Sequence, residues 1–205
     1  MSSDRYNSFP IVSLNGYVAD LSSGYGIKND VIVSQIIDYD QVVDPTGKMS
    51  LENNHTYYED NLLPDTEEIE HLKSVIVEIM SDITGRDYLI TESWSIILES
   101  GQSISAHSHN VHAAVDLNEY FAFAYYPFAP AGSCSLQFLS THSNTISTTV
   151  SAGIKTGTLL IFNSYLLHWT NRQMGGSDRV SVSGNLAPVS PTTVPMDDWS
   201  KYSKG

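Results

Sequence analysis

Three histidines in the second half of the chain have the side chains and the spacing to bind a metal ion. His107 and His109 are two residues apart, so on a strand both imidazoles point to the same side. His168 follows the apolar run 157–167. Neutral imidazole binds iron, zinc, copper and nickel, but a lone histidine after an apolar run is also typical of a core residue hydrogen-bonded to the backbone. The histidines alone leave both roles open.

A strand that begins with arginine follows the third histidine. Arg179 stands eleven residues after His168 and opens the sequence Arg-Val-Ser-Val-Ser-Gly-Asn, in which polar and apolar side chains alternate. The polar face of such a strand carries Arg179, Ser181, Ser183 and Asn185. On an ordinary sandwich strand that face would contact solvent. It could instead surround a buried carboxylate, because Arg offers a planar fork of donors and Ser adds a hydroxyl.

The order of these features resembles that of the 2-oxoglutarate/iron(II) oxygenase superfamily. Its members bind iron with His-x-Asp/Glu and a distal His, and they hold the far carboxylate of 2-oxoglutarate with a later Arg. The resemblance implies a mainly β chain with a supporting helix, folded as a double-stranded β-helix, the jelly roll that cupins share.

A closer resemblance is to oxygenases of this superfamily that occur in phages and marine bacteria. The matching pieces, within about residues 88–187, are Trp94 with Gly101, His107-Ser-His109, Ala124-Tyr125-Tyr126, Gly157 to His168, and Arg179-Val-Ser-Val-Ser-Gly-Asn185. The chain departs from the subgroup in having Asn110 where Pro is usual, an insertion at 111–120, and no Asp-Pro-Arg near 138–142. These departures bear on the choice of substrate more than on the metal centre.

The resemblance also implies roles for individual residues. Arg179 would pair with the distal carboxylate of 2-oxoglutarate, assisted by Ser181 and the hydroxyl of Tyr126. The implied activity is oxidation of a substrate C–H bond by O2, coupled to decarboxylation of 2-oxoglutarate, with ascorbate in support and no catalytic residue beyond the metal centre. The implied iron(II) ligands are His107, His109 and His168.

The third iron ligand is the open point of this assignment. His109 stands where the superfamily has a carboxylate, because two His and one carboxylate leave positions on iron for cosubstrate and oxygen. Either the site has three histidines, which we favour, or Asp116 or Glu119 reaches it from the insertion. His112 and His142 are expected at the surface or beside the site.

Two other functions compete with the oxygenase. A cupin-type metalloenzyme without 2-oxoglutarate would use Glu119 as a fourth ligand and leave Arg179 no carboxylate to hold. A non-catalytic jelly-roll binding or structural protein would use its histidines for structure alone. Metal content and binding of 2-oxoglutarate separate the three hypotheses.

Composition limits the partners and the compartment. The net charge of −13 disfavours nucleic acid and anionic membranes, because Lys and Arg supply most of the affinity for phosphate. A small molecule or a protein side chain is the expected substrate, and the oligomeric state is left open. Cys134 is the only cysteine and the first residues do not resemble a signal peptide, so we expect a cytoplasmic protein, in the host cytoplasm if phage-encoded.

The remaining pattern predicts one domain over 1–205, with its core at 88–187 and a Pro-rich arm at 188–205. A helix is predicted over about residues 65–84. Asp65 and Glu68 have the spacing of a reciprocal N-terminal cap, and Gly85 is the predicted stop. Strands are predicted at 8–13, 30–37, 88–91, 92–98, 121–126, 135–139, 145–150, 158–162 and 179–187. Loops are predicted at 16–26 and at 40–62, the latter with at most a short helix.

Overall fold

The computed structural model describes residues 6–11, 14–43, 63–109, 116–143 and 146–191 of the chain. The described residues include two α-helices, α1 (Asn29–Val43) and α2 (Glu67–Thr84). A short 3-10 helix, Leu117–Glu119, precedes the fourth strand. The strands are β1 (Tyr6–Ile11), β2 (Leu14–Asp20), β3 (Tyr88–Leu98), β4 (Phe121–Phe128), β5 (Leu136–Ser143), β6 (Ile146–Ala152), β7 (Thr158–Asn163), β8 (His168–Thr170) and β9 (Arg179–Pro188).

The strands form two antiparallel sheets. The larger sheet has the order β1-β2-β7-β4-β9-β3, and the smaller has the order β6-β5-β8. Many strands that pair are distant in the chain: β9 lies between β4 and β3, and β8 lies beside β5. Two sheets joined by such long connections are the architecture of a jelly roll. The predicted mainly β fold with helical support is confirmed.

Strand β4 separates two hydrophobic cores, because both of its faces are buried. On one face Phe123 belongs to a core that includes Ile76 and other helix residues. On the other face Ala124 and Tyr126 belong to a second core, which includes Phe138 of the smaller sheet. The helices therefore cover one side of the larger sheet, and the smaller sheet covers the other.

Helix α2 packs on the larger sheet through one apolar face. Its N-cap is Thr66, whose hydroxyl accepts a hydrogen bond from the N–H of Ile69 at 3.4 Å, so the expected cap at Asp65 is wrong by one residue. Both residue types cap helices well, and sequence alone does not separate neighbours. Gly85 ends the helix in the left-handed conformation, at φ 69°, as predicted. The buried face consists of Ile69, Leu72, Val75, Ile76, Ile79 and Met80.

The segment 30–37, predicted as a strand, lies inside helix α1, so that prediction is wrong. Ile32 and Ile36 are one helical turn apart, and both are completely buried. A short run of Val and Ile does not distinguish a buried strand from a helix by its period, and here packing against β4 decides. The predicted loop 16–26 is also partly wrong, since it overlaps β2, which pairs with β7.

The two strands predicted at 88–91 and 92–98 are one strand, β3, with a bulge between Ile90 and Glu92. The three-residue strand β8 was not predicted, because three residues are too few to show a period. The other strands predicted after residue 120 are present within a few residues of their predicted bounds.

Some expectations lie outside the described residues: most of the loop 40–62, His112 in the insertion, and the arm beyond residue 191. The assignment of 1–205 to a single domain stays a prediction. Over the part of the chain that is described, neither helix has the length and apolarity to span a membrane.

The close approach of β3, β4 and β9 yields a stability prediction. A Cβ added at Gly184 would lie 2.4 Å from the carbonyl oxygen of Glu92 and 2.6 Å from the ring of Phe123. We therefore expect Gly184→Ala to lower the free energy of unfolding by about 2 kcal/mol. Urea denaturation measures this, with Gly176→Ala as the control because a Cβ there meets nothing within 4 Å. Equal stability of the two variants would contradict the tight strand packing.

Candidate metal centre and adjoining cavity

Backbone hydrogen bonds bring the three histidines together. His107 forms an isolated antiparallel bridge with His168 of β8, with N–H to carbonyl distances of 3.0 and 2.8 Å. The N–H of His109 donates to the carbonyl of Ser164 at 2.8 Å, in the turn before β8. Ring centroids are 4.2 Å apart for His107 and His168, 5.1 Å for His109 and His168, and 5.5 Å for His107 and His109. One potential ligand nitrogen from each ring lies within 4.8 Å of the other two.

Two of the rings have their orientation fixed by backbone carbonyls. Nδ1 of His107 is 2.8 Å from the carbonyl oxygen of Ser105, and Nδ1 of His168 is 2.8 Å from that of Leu166. Because a carbonyl oxygen only accepts, each Nδ1 must carry the proton and donate it. The lone pair of each neutral ring is then on Nε2, so a metal ion would bind at that nitrogen while Nδ1 keeps its hydrogen bond to the carbonyl.

The third ring, that of His109, has a side-chain partner instead. Its Nδ1 is hydrogen-bonded to Oδ1 of Asn185. Its Nε2 is buried and has no hydrogen-bond partner within the described part of the chain. A buried polar atom without a partner is rare and points to an ion or a ligand that would satisfy it. The three rings together offer the nitrogen donors that suit a divalent transition-metal ion.

Burial keeps the centre of this cluster neutral. The pKa of His168 is lowered to about 3, first by burial and then by electrostatic repulsion from the neighbouring ring of His107. Burial also lowers the pKa of His109, although its hydrogen bond to Asn185 acts in the opposite direction. Metal binding needs unprotonated imidazole, so these two ligands require no proton release at neutral pH.

The alternative carboxylate ligands are engaged elsewhere. Asp116 caps the 3-10 helix by accepting from the N–H of Asn118 at 3.0 Å. Glu119 forms an ion pair with Arg86. Among the described residues, the only cluster able to hold a metal ion is that of the three histidines, with no carboxylate in it. His142 lies in β5, and His112 falls outside the described residues.

The polar face of β9 is turned into the protein, beside the histidines. Arg179 is 1% exposed, Ser181 is 2% exposed and Ser183 is 9% exposed, so the face is not solvated. The opposite face, with Val180 and Val182, packs in the core under the helices. Arg179, Ser181 and Ser183 line one narrow cavity together with the three histidines.

The guanidinium of Arg179 is incompletely satisfied. Its Nη1 donates to the carbonyl oxygen of Cys134 at 3.2 Å and lies 3.1 Å from the Cys134 sulfur. Its carbon lies 5.2 Å from the centre of the Tyr126 ring, a cation–π distance. Among the described residues, its buried Nε has no hydrogen-bond partner and no carboxylate forms an ion pair with it. A buried cation in this state is a candidate site for an anion.

Sequence reasoning placed six residues in this cavity and missed two features beside it. The structure brings together His107, His109, His168, Arg179, Ser181 and Tyr126, all of which line the cavity. The contact between Cys134 and Arg179 was not expected, and nothing in the spacing of the two residues signals it. The bulge in β3 was also missed, although the change of period from Ile90 to Glu92 was visible as a break between two predicted strands.

Comparison with known proteins gives similarity at the level of structure. No protein-family model and no curated protein matches the sequence. HygX from Streptomyces hygroscopicus, solved with nickel and 2-oxoglutarate bound, has a TM-score of 0.60 at 15% identity over 85% of this chain and 83% of its own. The epimerase SnoN of nogalamycin biosynthesis, which is non-heme and α-ketoglutarate-dependent, has a TM-score of 0.58 at 9% identity over 87% and 80%.

A third structure, a prolyl-4-hydroxylase from Pseudomonas putida, has a TM-score of 0.54 at 10% identity and covers 91% of this chain and 99% of its own. The fold is that of the 2-oxoglutarate oxygenases. At identities of 9–15% this similarity is one of fold.

The buried His168 predicts how the metal-free protein responds to acid. The unfolded chain takes up a proton at this residue near pH 6.5, but the folded protein does so only near pH 3. Between these values the unfolded state binds more protons, so stability falls as the pH falls. At about pH 5 the loss from this residue is about 2 kcal/mol. Urea denaturation near neutral pH and near pH 5 measures it.

His168→Leu removes the titrating group and keeps an apolar side chain at the position. The variant should lose less stability between the two pH values than the wild type, by about the same 2 kcal/mol. An identical pH dependence in both proteins would show that His168 is already protonated in the folded state at pH 5.

Proposed function

We propose that the protein is an iron(II)- and 2-oxoglutarate-dependent oxygenase that oxidises a C–H bond of a small molecule or a protein side chain. The observation that carries the proposal is one cavity containing three converging imidazoles and a buried arginine with no carboxylate partner among the described residues. The first group suits a metal ion, and the second suits the far carboxylate of a keto diacid. The jelly-roll fold agrees with this function.

His107, His109 and His168 are the proposed ligands of iron(II). The fit is supported by the buried Nε2 of His109, which has no partner among the described residues, and by the Nδ1 hydrogen bonds that put the lone pairs of the other two rings on Nε2. When bound, iron supplies the activation of O2 that no amino-acid side chain provides. The part of these residues is to hold three neutral nitrogens on one side of the ion.

Arg179 is the proposed partner of the distal carboxylate of 2-oxoglutarate. Its unpaired Nε and its planar fork of donors suit a carboxylate, and the hydroxyl of Ser181 lies on the same strand face. Tyr126 packs its ring against the guanidinium. Burial raises the pKa of Tyr126, so its phenol remains protonated and able to donate a hydrogen bond. The three residues would orient the cosubstrate with its keto acid end toward the histidines.

Apolar side chains complete the walls of the cavity. Ile96 and Ile104 line it together with Leu136 and Phe162. In such surroundings an ion pair with Arg179 is stronger than in water, because the local dielectric is low. Exclusion of water would also protect reactive species from side reactions.

The rival functions have less support. The cupin hypothesis needs Glu119 as a fourth ligand, but its carboxylate is paired with Arg86. The purely structural hypothesis gives no reason to bury a guanidinium without a carboxylate partner, or an imidazole nitrogen without a hydrogen-bond partner, among the described residues. Both arrangements cost stability unless a ligand compensates for them. Membership of the phage and marine-bacterial subgroup is supported by the order of the sequence motifs alone. The proposed cytoplasmic location is supported by the single cysteine.

The metal centre is tested by metal content. Protein without a histidine tag should bind one equivalent of iron(II) or nickel(II) per chain, and His168→Ala should abolish tight binding. The loss should exceed the roughly 10–100-fold that removal of an outer partner of a ligand produces. His71→Ala, which removes an exposed histidine of α2, is the control. Unchanged metal affinity in His168→Ala would favour the non-catalytic hypothesis.

The cosubstrate site is tested by calorimetry with 2-oxoglutarate on the nickel-loaded protein. Arg179→Met should weaken binding by about 100-fold or more, because loss of one partner of a buried charge pair costs about 3 kcal/mol. Nickel affinity should be unchanged. Arg172→Met, which removes an exposed arginine, is the control for net charge. Normal 2-oxoglutarate affinity in Arg179→Met would refute the assigned role and favour the cupin.

Turnover is the final test of the proposed function. With iron(II), ascorbate and O2 the wild type should convert 2-oxoglutarate slowly to succinate even without a substrate, and the His168→Ala and Arg179→Met variants should not. Succinate formation that needs no iron would contradict the proposal.

A further inference from the structure

The bulge in β3 places an acidic side chain on the cavity side of the larger sheet. Before the bulge, Tyr88 and Ile90 face the core under the helices. After it, Trp94 and Ile96 line the cavity instead, so the bulge exchanges the faces of the strand. The residue that follows the bulge directly, Glu92, pairs in register with Asn185 of β9. Without the extra residue, Glu92 would face the helices.

A series of hydrogen bonds runs from Glu92 to the candidate metal centre. Nδ2 of Asn185 donates to a carboxylate oxygen of Glu92 at 3.0 Å. Oδ1 of the same Asn185 amide is hydrogen-bonded to Nδ1 of His109. The other ring nitrogen of His109, Nε2, is the buried atom that has no partner, and the ring belongs to the three-histidine cluster.

The Glu92 carboxylate, which is farthest from the candidate metal centre, determines which atoms donate in these hydrogen bonds. An ionised carboxylate accepts hydrogen bonds and donates none, so Glu92 binds only the NH2 group of the Asn185 amide. The amide is thereby prevented from turning over, and its oxygen is presented to His109. Nδ1 of His109 must then carry the proton, which leaves the lone pair on Nε2.

His109 differs in this respect from the other two histidines of the cluster. The Nδ1 atoms of His107 and His168 are bound to neutral backbone carbonyls, those of Ser105 and Leu166. Among the described residues, the Nδ1 partner of His109 is the one whose own hydrogen bond reaches a charged group. The cluster of three histidines contains no carboxylate, and the carboxylate of Glu92 lies two hydrogen bonds from the His109 ring.

We propose that Glu92 and Asn185 are positioning residues that fix the tautomer of His109 and supply, through its ring, the negative charge that a carboxylate ligand would provide. This inference rests on the proposed metal centre. An acceptor bonded to the far nitrogen of a ligating imidazole makes the ring more basic, and loss of such a partner typically weakens metal binding by about 10–100-fold.

The test uses two variants and one control. Glu92→Gln replaces the carboxylate by an amide that either accepts or donates, so the direction of the hydrogen bonds is no longer imposed. The double variant Glu92→Gln with Asn185→Asp reverses the hydrogen bond between the two side chains but restores an obligate acceptor at Nδ1 of His109, because the new amide at position 92 donates to the new carboxylate at position 185, which can only accept from His109. Glu78→Gln, on the exposed side of α2, removes the same charge elsewhere.

The first readout is ¹⁵N NMR of the histidine rings in the metal-free protein at neutral pH. Wild type and Glu78→Gln should show His109 with its proton on Nδ1, and Glu92→Gln should show a mixture of tautomers. The second readout is nickel(II) affinity by calorimetry, which should fall about 10–100-fold in Glu92→Gln and return to within about threefold of wild type in the double variant.

An unchanged His109 tautomer and nickel affinity in Glu92→Gln would overturn the proposal, as would a folded double variant that stays as weak as Glu92→Gln. Each variant is checked for folding by thermal denaturation, and Glu92 is exposed, which favours normal folding of its substitution. A wild type that binds no nickel would instead contradict the proposed function. The tautomer comparison in metal-free protein would still report whether Glu92 orients His109.

Discussion

The burial of Arg179 between two sheets is the constraint on which the site depends. The strand that carries it, β9, lies inside the larger sheet between β4 and β3, so neither of its faces reaches water freely. One face is apolar and packs under the helices, and the other has to place Arg and Ser side chains in a closed space. A charge in such a position is tolerated only with a partner, and no described carboxylate supplies one. The polar face of β9 therefore gives the cavity a wall that carries a buried positive charge.

The same two-sided burial explains which features were predictable from sequence. The alternation of Arg179, Ser181 and Ser183 with apolar residues assigned the strand and its faces correctly, since a period of two is read directly from the chain. Sequence left open whether the polar face was solvated, because that depends on the smaller sheet, whose strands come from elsewhere in the chain. The resemblance to the 2-oxoglutarate/iron(II) oxygenases favoured a buried polar face, and these residues are buried in the structure.

Other features depended on contacts that no local pattern records. Ile32 and Ile36 form a buried helical stripe only because a sheet lies under them, and a run of β-branched residues suggested a strand instead. Strand β8 exists because His168 pairs with both β5 and His107, which are distant in sequence. The contact of Cys134 with Arg179 likewise joins two parts of the chain that have no fixed spacing.

The arrangement of the histidines also shows why a ligand set can change while the fold is kept. Backbone hydrogen bonds from His107 to His168, and from His109 to Ser164, hold these positions whatever side chains they carry. A carboxylate and an imidazole at position 109 would therefore start from the same backbone, and the exchange alters the charge of the site rather than its framework. A change of charge in a buried site alters its electrostatic energy strongly, because the local dielectric is low. A compensating charge therefore has to lie near the ring. The bulge that turns Glu92 toward Asn185 is a change of a single residue in strand register, yet it places a carboxylate two hydrogen bonds from the ring of His109. The register of β3 and the electrostatics of the candidate metal centre are therefore linked.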